Sequence, residues 1–405
     1  MNCRICKKKI TQIVCDLGKT PLANSYPSHE YKFKKEAYYP LKVYFCKSCY
    51  LPQLPEHQKP KKIFENYDYF SSYSKTWLKH SEEFVKKIIP QLGLKKNSKV
   101  CEIASNDGYL LKFFNKKKIQ VLGIEPAKNV ARSSIARGIP TLTKFFSYPF
   151  SKYIKKKNGT YDLIICNNVL AHVPNILSFV RGIKNILSQN GTLTVEFPHF
   201  LNLIKYNQFD TIYHEHFSYL SLAATQNLFQ KFGMEVYNVD KISTHGGSLR
   251  IYVKHASNKN KKISKNIKKI LNEEIGFKLF DRKTFKQFRQ NISKIKKDFL
   301  LLIGSLNKQN KNIIAYGAAA KGNTFLNYCK INNSFIKLVA DKNPSKINKY
   351  LPGSHLKICS LETLIRENPD YVLIFPWNLE KEIVSSIKSS IKCKYIICIP
   401  KIKIL

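Results

Sequence analysis

The stretch SKVCEIASNDGYLLKFFNKKKIQVLGIE, residues 98–125, decides the fold class. It predicts an apolar strand at 98–103, a turn of small residues at 104–108, an amphipathic helix, and a second strand that ends in Glu125. This order of elements forms the mononucleotide half of a Rossmann-like fold, in which the acidic side chain accepts hydrogen bonds from ribose hydroxyls. We therefore expect an α/β domain with a ligand crevice at these strand ends.

The turn departs from the glycine-rich dinucleotide fingerprint, because Ala104 and Asn106 stand where glycines are expected. A dinucleotide pyrophosphate is therefore not favoured. A third strand, at 161–166, ends in Asn167 and Asn168, and polar residues at the ends of parallel strands line the crevice. The nearby His172 is interpreted as a hydrogen-bonded structural residue.

The last hundred residues repeat the α/β pattern. A strand at 313–316 precedes a turn at 317–322 and a helix that begins near Asn323, and later strands are predicted at 338–340 and 371–375. Backbone N–H groups at such a helix start, together with Lys321, form an anion site. A second Rossmann-like unit is therefore expected.

Two CxxC pairs lie about forty residues apart near the N-terminus. This arrangement is typical of a closed tetrahedral zinc site that folds a small domain and performs no chemistry. The absence of an apolar signal region at the N-terminus favours thiols and metal ligands over disulfides for the eleven cysteines. The predicted zinc ligands are Cys3, Cys6, Cys46 and Cys49.

Composition bounds the remaining function classes. A chain of 405 residues with 43% apolar residues is expected to form two or three domains. The net charge is +42, yet only eight of the 69 basic residues are Arg, so we interpret the lysine excess as compositional bias and expect no nucleic acid partner. No apolar run approaches the ~20 residues of a membrane span, and we expect a cytoplasmic protein.

The segment TIYHEHFSYLS, residues 211–221, concentrates imidazole, carboxylate and phenol groups. It is not a zinc-protease helix, because those proteins need histidines four residues apart and position 218 is Ser. A polar loop whose histidines bridge other groups remains an alternative. A second loop, at 244–250, contains Gly246 and Gly247, which permit close backbone approach to a ligand or a tight turn.

A long amphipathic helix is predicted from about residue 282, and we assign its apolar stripe to packing alone. The stripe consists of Phe285, Phe288, Ile292, Ile295, Phe299, Leu302 and Leu306.

Several long motifs resemble the sugar C-methyltransferases, S-adenosylmethionine enzymes that methylate C3 of nucleotide-linked 4-keto-6-deoxyhexoses. They are CEIASNDGYLL, VLGIEPAKNVA, NNVLAHVPN, FDTIYHEHFSYLS and HGGSLRIYV, preceded by the CxxC pairs and LGKTPLANSY. The resemblance covers essentially the whole chain. It implies a zinc-binding domain (1–65), a Rossmann-like class I methyltransferase domain (66–255), a helical connector (256–300) and a Rossmann-like nucleotide-sugar-binding domain (301–405).

The resemblance also implies residue roles for the cofactor. The segment from Tyr69 to Ser74, with Tyr73, would cover the pocket, although a loop that merely packs is the alternative. Glu125 would bind the ribose. The residues around the methionine end and the methyl-donor pocket would be Glu102, Ala104, Asn106, Gly108, Asn167 and Asn168.

For catalysis, methylation next to a ketone requires a base that removes the α-proton and donors that stabilise the enolate. The resemblance implies that His216 is the base, that Glu215 orients it or binds a sugar hydroxyl, and that Tyr213 donates to the oxyanion. His214 would contact substrate or be structural. The implied substrate-binding residues are Gly246, Gly247 and Arg250, with Gly317, Lys321 and Asn378 at the nucleotide diphosphate, where a purely structural lobe is the alternative.

Three other functions compete with sugar C-methylation. A sugar O-methyltransferase also needs a base, an RNA-modifying methyltransferase could use the zinc domain and lysine-rich surface, and a scaffold could bind a nucleotide without catalysis. The expected partner is a nucleotide-linked ketosugar, and we expect a monomer or weak dimer that does not bind membranes.

Overall fold

The computed structural model describes residues 1–61 and 70–405, which form three β-sheets connected by helices. Within those two ranges, no helix combines the length and apolar character that crossing a lipid bilayer requires. The predicted mixed α/β class with two Rossmann-like units is confirmed.

The N-terminal unit is a three-stranded antiparallel sheet preceded by a short cysteine-bearing turn. Cys46 ends the second strand and Cys49 lies in the turn that leads to the third, so the two CxxC segments can meet at one end of the sheet. The strands are β1 (Ile13–Thr20), β2 (Tyr39–Cys46) and β3 (Leu51–Gln53).

The central sheet has seven strands: β4 (Lys99–Ile103), β5 (Gln120–Ile124), β6 (Thr141–Leu142), β7 (Tyr161–Asn167), β8 (Leu187–Pro198), β9 (Met234–Ile242) and β10 (Ser248–His255). Their spatial order is β6-β5-β4-β7-β8-β10-β9, and β10 alone runs antiparallel to the other six strands. The strand order reverses between β4 and β7, so the turns after these strands border the ligand crevice.

Helices cover both faces of this sheet. Several begin where a side chain caps the first turn; Ser74, for example, accepts a hydrogen bond from the Trp77 N–H. The helices are α1 (Lys75–Leu92), α2 (Leu111–Asn115), α3 (Lys128–Ala136), α4 (Tyr148–Asn158), α5 (Ile176–Ile186), α6 (Phe200–Lys205) and α7 (Leu222–Gln230).

Two helices connect the central sheet to the C-terminal unit: α8 (Lys265–Gly276), which lies within the expected helical connector, and α9 (Arg282–Lys308). The predicted apolar stripe of α9 is buried except that Ile303, rather than Leu302, completes it. Helix α9 is continuous through residue 300, where the sequence analysis ended the connector.

The C-terminal sheet has the order β13-β12-β11-β14-β15-β16, and only β16 is antiparallel to its neighbour. Its switch point lies between β11 and β14, next to the start of helix α10. The elements are β11 (Ile313–Tyr316), α10 (Ala320–Cys329), β12 (Leu338–Ala340), β13 (Lys357–Cys359), α11 (Leu361–Arg366), β14 (Tyr371–Ile374), α12 (Glu380–Ile387), β15 (Lys394–Ile397) and β16 (Lys403–Ile404).

One apolar core joins the N-terminal and C-terminal units through α9. Phe45 of β2, Phe299 of α9 and Phe325 of α10 all belong to this core. The Arg289 guanidinium on α9 also donates to the backbone carbonyls of Ile13 and Val14 in β1. The three segments therefore bury their apolar faces against one another rather than forming separate cores.

Candidate active site

The four predicted zinc ligands lie together. Their sulfur atoms are all within 4.8 Å of one another, and the Cys6 and Cys46 sulfurs are 3.6 Å apart. Tetrahedral coordination with Zn–S bonds of ~2.3 Å would separate the sulfurs by about 3.8 Å, so the cluster fits a zinc ion. The Gln53 side-chain amide and the Ile5 N–H both approach the Cys3 sulfur, as donors to a thiolate would. A site filled by four thiolates leaves no open position for substrate.

The turn after β4 has the backbone of a glycine-rich loop, but glycine occupies only one of its three positive-φ positions. Ala104 has φ 58°, Asn106 has φ 49° and Gly108 has φ 76°. At Gly108 a Cβ would come within 2.8 Å of the Ser134 hydroxyl, so this position requires glycine. The departure from the fingerprint therefore does not change the path of the turn, because Ala104 and Asn106 adopt the left-handed conformation that glycine would supply.

Glu125, directly after β5, stabilises this turn through hydrogen bonds. Its carboxylate accepts hydrogen bonds from the backbone N–H groups of Asn106 and Ala127, each at 2.9 Å. Burial raises the pKa of Glu125 to about 7, although these two N–H groups lower it. Each oxygen keeps a second lone pair, so these hydrogen bonds and the expected contact with ribose hydroxyls are compatible.

Buried polar atoms without hydrogen-bond partners among the described residues cluster around the turn: the Oδ1 atoms of Asp107, Asn167 and Asn168. Burial raises the pKa of Glu102 well above its ordinary value, although the nearby Tyr109 hydroxyl acts in the opposite direction. Buried polar atoms normally have partners. A ligand with donor groups would satisfy these atoms, as the ammonium and hydroxyl groups of S-adenosylmethionine can.

The aromatic-hydroxyl segment contacts the turn through its serines. The Ser71 N–H donates to Asn106 Oδ1 at 2.8 Å, and the Ser72 hydroxyl donates to the Asp107 carboxylate. Tyr73 instead has a 67% exposed side chain that packs near Phe70, so its phenol lies in solvent rather than in the expected pocket. Tyr69 lies outside the described residues.

His216 combines a fixed ring with an available lone pair. Its Nδ1–H donates to the Thr211 carbonyl at 2.8 Å, so Nε2 carries the lone pair, and Nε2 has no hydrogen-bond partner among residues 1–61 and 70–405. The ring lies 4.0 Å from the Tyr213 ring and 4.7 Å from the His172 ring, between centroids. Burial, with help from His172 and Lys321, lowers the pKa of His216 well below its ordinary value. The imidazole is therefore neutral at neutral pH.

His172 supports the same loop. Its Nδ1–H donates to the Glu215 carbonyl at 2.9 Å, and burial lowers its pKa to about 4. The structural interpretation of His172 holds for this hydrogen bond, while the ring itself lies beside His216.

Glu215 is buried, and a residue of the N-terminal unit contacts it. The Asn24 amide donates to Glu215 Oε1 at 2.7 Å, whereas Oε2 has no hydrogen-bond partner in the described ranges. Burial raises the pKa of Glu215 to about 7. Asn24 was not predicted as a site residue, although its motif, LGKTPLANSY, was part of the family resemblance.

His214 faces away from this cluster. Its Nε2–H donates to the Pro40 carbonyl at 3.3 Å, and its ring packs near Tyr39 and His57. The expected catalytic group of four thus separates into Tyr213, Glu215 and His216 at the site, and a histidine that holds the loop against the N-terminal unit.

The two glycines of the second loop approach protein side chains. A Cβ at Gly246 would lie 2.2 Å from the Trp377 ring, and one at Gly247 would lie 2.1 Å from the Asn202 amide. The space that these glycines leave open was expected to admit a ligand, but Trp377 and Asn202 fill it.

Arg250, expected to bind substrate, is instead part of a buried ion pair. Its guanidinium is 2.7 Å from Glu196 Oε2 and 3.0 Å from His80 Nε2, and it stacks on the Phe84 ring. Burial alone would raise the pKa of Glu196, but His80 and Arg250 lower it to about 2. Because this guanidinium is already paired, its contacts stabilise the folded protein.

Lys321 and Asn378 do come together, near the start of α10. Lys321 Nζ donates to Asn378 Oδ1 at 2.8 Å and lies 4.4 Å from the centre of the Trp377 ring. The Trp377 indole N–H donates to Asp210 Oδ2 at 2.6 Å, while Asp210 Oδ1 is buried without a partner in the described ranges. Burial raises the pKa of Asp210 to about 6. Asp210, which precedes the histidine-rich segment, lies beside Trp377 and Lys321 at this candidate site, and the sequence did not single it out.

Gly317 and Asp341 shape the turn after β11. Gly317 has φ 94° and packs against Pro376, where a Cβ would meet the ring at 2.4 Å. The Asp341 carboxylate accepts hydrogen bonds from the N–H groups of Ala318 and Asn343, both at 2.8 Å. Glu125 accepts an equivalent pair of backbone hydrogen bonds in the central unit. The turns at both crevices are therefore stabilised in the same way.

The comparisons with known proteins cover each part of the chain. Residues 3–64 match a family model of a zinc binding domain, residues 77–239 match a methyltransferase domain, and residues 243–400 match a C-methyltransferase C-terminal domain. The chain is 30% identical over 406 aligned positions to the C-methyltransferase NovU of Streptomyces niveus, covering 100% of this chain and 96% of that protein.

Two solved structures each match about half of the chain. A Pyrococcus horikoshii OT3 protein is 10% identical, with 49% of this chain and 99% of that chain covered and a TM-score of 0.38. The magnesium protoporphyrin IX methyltransferase ChlM of Synechocystis PCC 6803, solved with bound S-adenosylmethionine, is 14% identical, with 49% and 99% covered and a TM-score of 0.36.

Proposed function

Because the chain belongs to the S-adenosylmethionine-dependent C-methyltransferase family, we propose that it methylates C3 of a nucleotide-linked 4-keto-deoxysugar through an enolate. S-adenosylmethionine supplies an electrophilic methyl group. The protein must remove a carbon-bound proton and stabilise the charge that results. A ketone at C4 acidifies the protons of both neighbouring carbons, C3 and C5.

The geometry of His216 carries the proposal. Its ring is fixed by the Thr211 carbonyl in the tautomer that leaves Nε2 as an acceptor, and its low pKa keeps it neutral. A base held in this form is ready to accept a proton without first losing one. In the proposed reaction the α-proton moves to His216 Nε2 while the electron pair of the C–H bond forms the enolate.

Neighbouring groups support distinct roles in this reaction. Tyr213, whose ring lies against His216, is proposed to donate to the enolate oxygen. The unpartnered Glu215 Oε2 is suited to accept a hydrogen bond from a sugar hydroxyl. Lys321 and Asn378, beside the start of α10, are proposed to contact the diphosphate of the nucleotide.

The test combines proton exchange with product analysis. Wild-type protein with S-adenosylhomocysteine should introduce solvent deuterium at C3 of a nucleotide-linked 4-keto-deoxysugar, as read by NMR. With S-adenosylmethionine, it should add one methyl group to the same carbon. His216→Asn should reduce both reactions by about 10²- to 10⁴-fold, the range expected for loss of a general base. His255→Asn provides a matched control, because that imidazole bonds to the Leu187 carbonyl at the far end of β10.

The possible outcomes separate the competing functions. Deuterium and methyl at C5 would move the chemistry to the other α-carbon. Methyl transfer to oxygen without carbon exchange would indicate a sugar O-methyltransferase. Salt-sensitive RNA binding with RNA methylation would indicate the nucleic acid alternative.

A further inference from the structure

His245 has an unusual backbone conformation in the loop before β10. It has φ 54°, and Gly246 and Gly247 follow with φ 84° and φ 107°. A residue other than glycine rarely adopts the left-handed conformation, and such residues cluster at functional sites. Glycine would fit this position with less strain. The backbone conformation therefore does not explain why a histidine stands here.

Both the central unit and the C-terminal unit hold this loop. On one side the Thr244 hydroxyl donates to Glu196 Oε1 at 3.0 Å. On the other side Gly246 packs directly against the Trp377 ring, and the Gln208 amide donates to the Gly246 carbonyl at 2.9 Å. These contacts fix the position of the His245 backbone before any ligand binds.

The His245 ring lies beside Asn168, one of the residues expected to line the methyl-donor pocket. Its Nε2 is 3.4 Å from the Asn168 side-chain nitrogen, and its ring centre is 5.4 Å from that of Trp77. Since the Asn168 amide nitrogen is a donor, Nε2 accepts and the ring proton lies on Nδ1. Among the described residues, Asn168 is the hydrogen-bond partner of this ring, and the half-buried Nδ1–H remains for a ligand.

The surroundings also keep His245 neutral. Burial, followed by the positive charge of Lys321, lowers its pKa to about 4, and His80 and His172 act in the same direction. A neutral imidazole can donate a hydrogen bond to an enolate oxygen and keep its proton. An imidazolium at this position would instead be acidic enough to transfer its proton to the enolate oxygen.

We propose that His245 is a catalytic residue whose Nδ1–H donates a hydrogen bond to the enolate oxygen of the sugar, while His216 holds the abstracted proton. This inference rests on the proposed function and adds a second oxyanion donor beside Tyr213. It assigns one imidazole as the base and another, nearer the methyl-donor pocket, as an electrophile. His245 keeps its own proton throughout.

His245→Gly is the sharpest test, because glycine relieves the backbone strain while it removes the ring. The variant should retain zinc, unfold at or above the wild-type temperature, and bind S-adenosylmethionine within about twofold. Its kcat for methyl transfer and its deuterium exchange should each fall by about 10²- to 10³-fold, the loss expected for one oxyanion donor. Added imidazole should restore part of both rates in His245→Gly and have no effect on wild type or on His255→Asn.

Three results would overturn the inference while wild type remains active. These are a kcat/KM of His245→Gly within about threefold of wild type, a loss fully accounted for by weaker S-adenosylmethionine binding, or a loss that imidazole does not restore. A His245→Asn variant, which also tolerates positive φ, should show the same loss and guards against an effect peculiar to glycine. Absence of exchange in wild type itself would instead contradict the proposed function.

Discussion

At the scale of single residues, the candidate site is marked by buried polar atoms that have no partners among the residues the structure describes. Glu215 Oε2 is buried in the histidine-rich loop, Asp210 Oδ1 just before it, and Asn167 Oδ1 at the end of β7. Burying such atoms costs free energy unless a ligand satisfies them. The apoprotein therefore carries a destabilisation that substrate and cofactor can relieve.

Glu215 provides a measurable case. Burial raises its pKa from 4.5 to about 7, so the native state binds more protons than the unfolded state between these values. Stability from this group is therefore lost as pH rises through that window, by about 3 kcal/mol in total. Glu215→Gln should gain stability relative to wild type between pH 4.5 and pH 8, as measured by urea unfolding of the apoprotein.

An exposed carboxylate provides the control for this prediction. Glu83→Gln on α1 removes a carboxylate whose side chain is largely in solvent, so its stability should follow that of wild type at every pH. A Glu215→Gln variant whose stability relative to wild type does not change with pH would show that the carboxyl is not held in its neutral form.

Arg250 carries the second prediction at this scale. Arg250→Met should lower the free energy of unfolding by about 3–5 kcal/mol, because it leaves the fully buried Glu196 without its guanidinium partner. The KM values of the folded fraction should stay near those of wild type. Adding Glu196→Gln should recover part of the stability. A stable Arg250→Met protein with a raised KM would return this residue to the substrate site.

The sequence predicted which residues form the loop better than it predicted where their side chains point. Tyr213, Glu215 and His216 of the motif lie together in one loop, but no pattern in TIYHEHFSYLS indicates that His214 faces the N-terminal unit. Asn24 and Asp210 were missed because their roles depend on contacts with distant segments. Such contacts are set by tertiary packing and leave no local periodicity.

At the scale of elements, the strands were predicted closely because buried parallel strands are short apolar runs with polar ends. The predicted strands at 313–316 and 338–340 match β11 and β12. Helix α8 lies within the predicted helical connector, but the sequence did not give its bounds, because many Lys and Asn residues obscure a narrow buried face formed by Ile267, Ile270 and Glu274. Glu274 accepts hydrogen bonds from His199 and from the first N–H groups of α7, a role that an apolar pattern cannot reveal.

Mutation should separate the roles of Glu125 and Asp341, the two carboxylates that stabilise these turns. Glu125→Ala should weaken S-adenosylmethionine binding by on the order of tenfold or more, since it removes charge-assisted hydrogen bonds at the ribose and at the turn. Asp341→Ala removes the equivalent hydrogen bonds from the C-terminal unit. It should leave the affinity for S-adenosylmethionine unchanged and raise the KM for the nucleotide sugar. Calorimetry for the cofactor and steady-state kinetics for the sugar would check both, and unchanged cofactor affinity in Glu125→Ala would move the cofactor elsewhere.

The zinc-binding turns give a further test at this scale. The purified protein should contain about one zinc per chain, and Cys3→Ser combined with Cys46→Ser should remove it. Activity should fall although zinc is not catalytic, because the same unit contributes Asn24 to Glu215. Cys393→Ser, in the C-terminal unit, is the matched control. Metal analysis that finds full zinc in the double variant would contradict the assignment.

At the scale of the whole molecule, the shared core predicts one cooperative unit for the N-terminal and C-terminal sheets. Removing residues 256–405 would expose the apolar faces that Phe45 and neighbouring side chains present to α9. Fragment 1–255 should therefore be insoluble or should lack a cooperative unfolding transition in calorimetry. A fragment that unfolds cooperatively and retains zinc would show that the N-terminal units are autonomous.

The contacts that complete the site also span long distances along the chain. Asn24 meets Glu215 across 191 positions, and the Asn323 amide donates to the Ala23 carbonyl across 300. A ribosome releases the zinc-binding turns long before it releases helix α10. The apolar face of the N-terminal sheet therefore stays exposed to solvent until the later segments are synthesised. Folding rates fall as such separations grow, and waiting intermediates are prone to aggregate. Synthesis in the cell should therefore depend on chaperones that shield this face until translation ends.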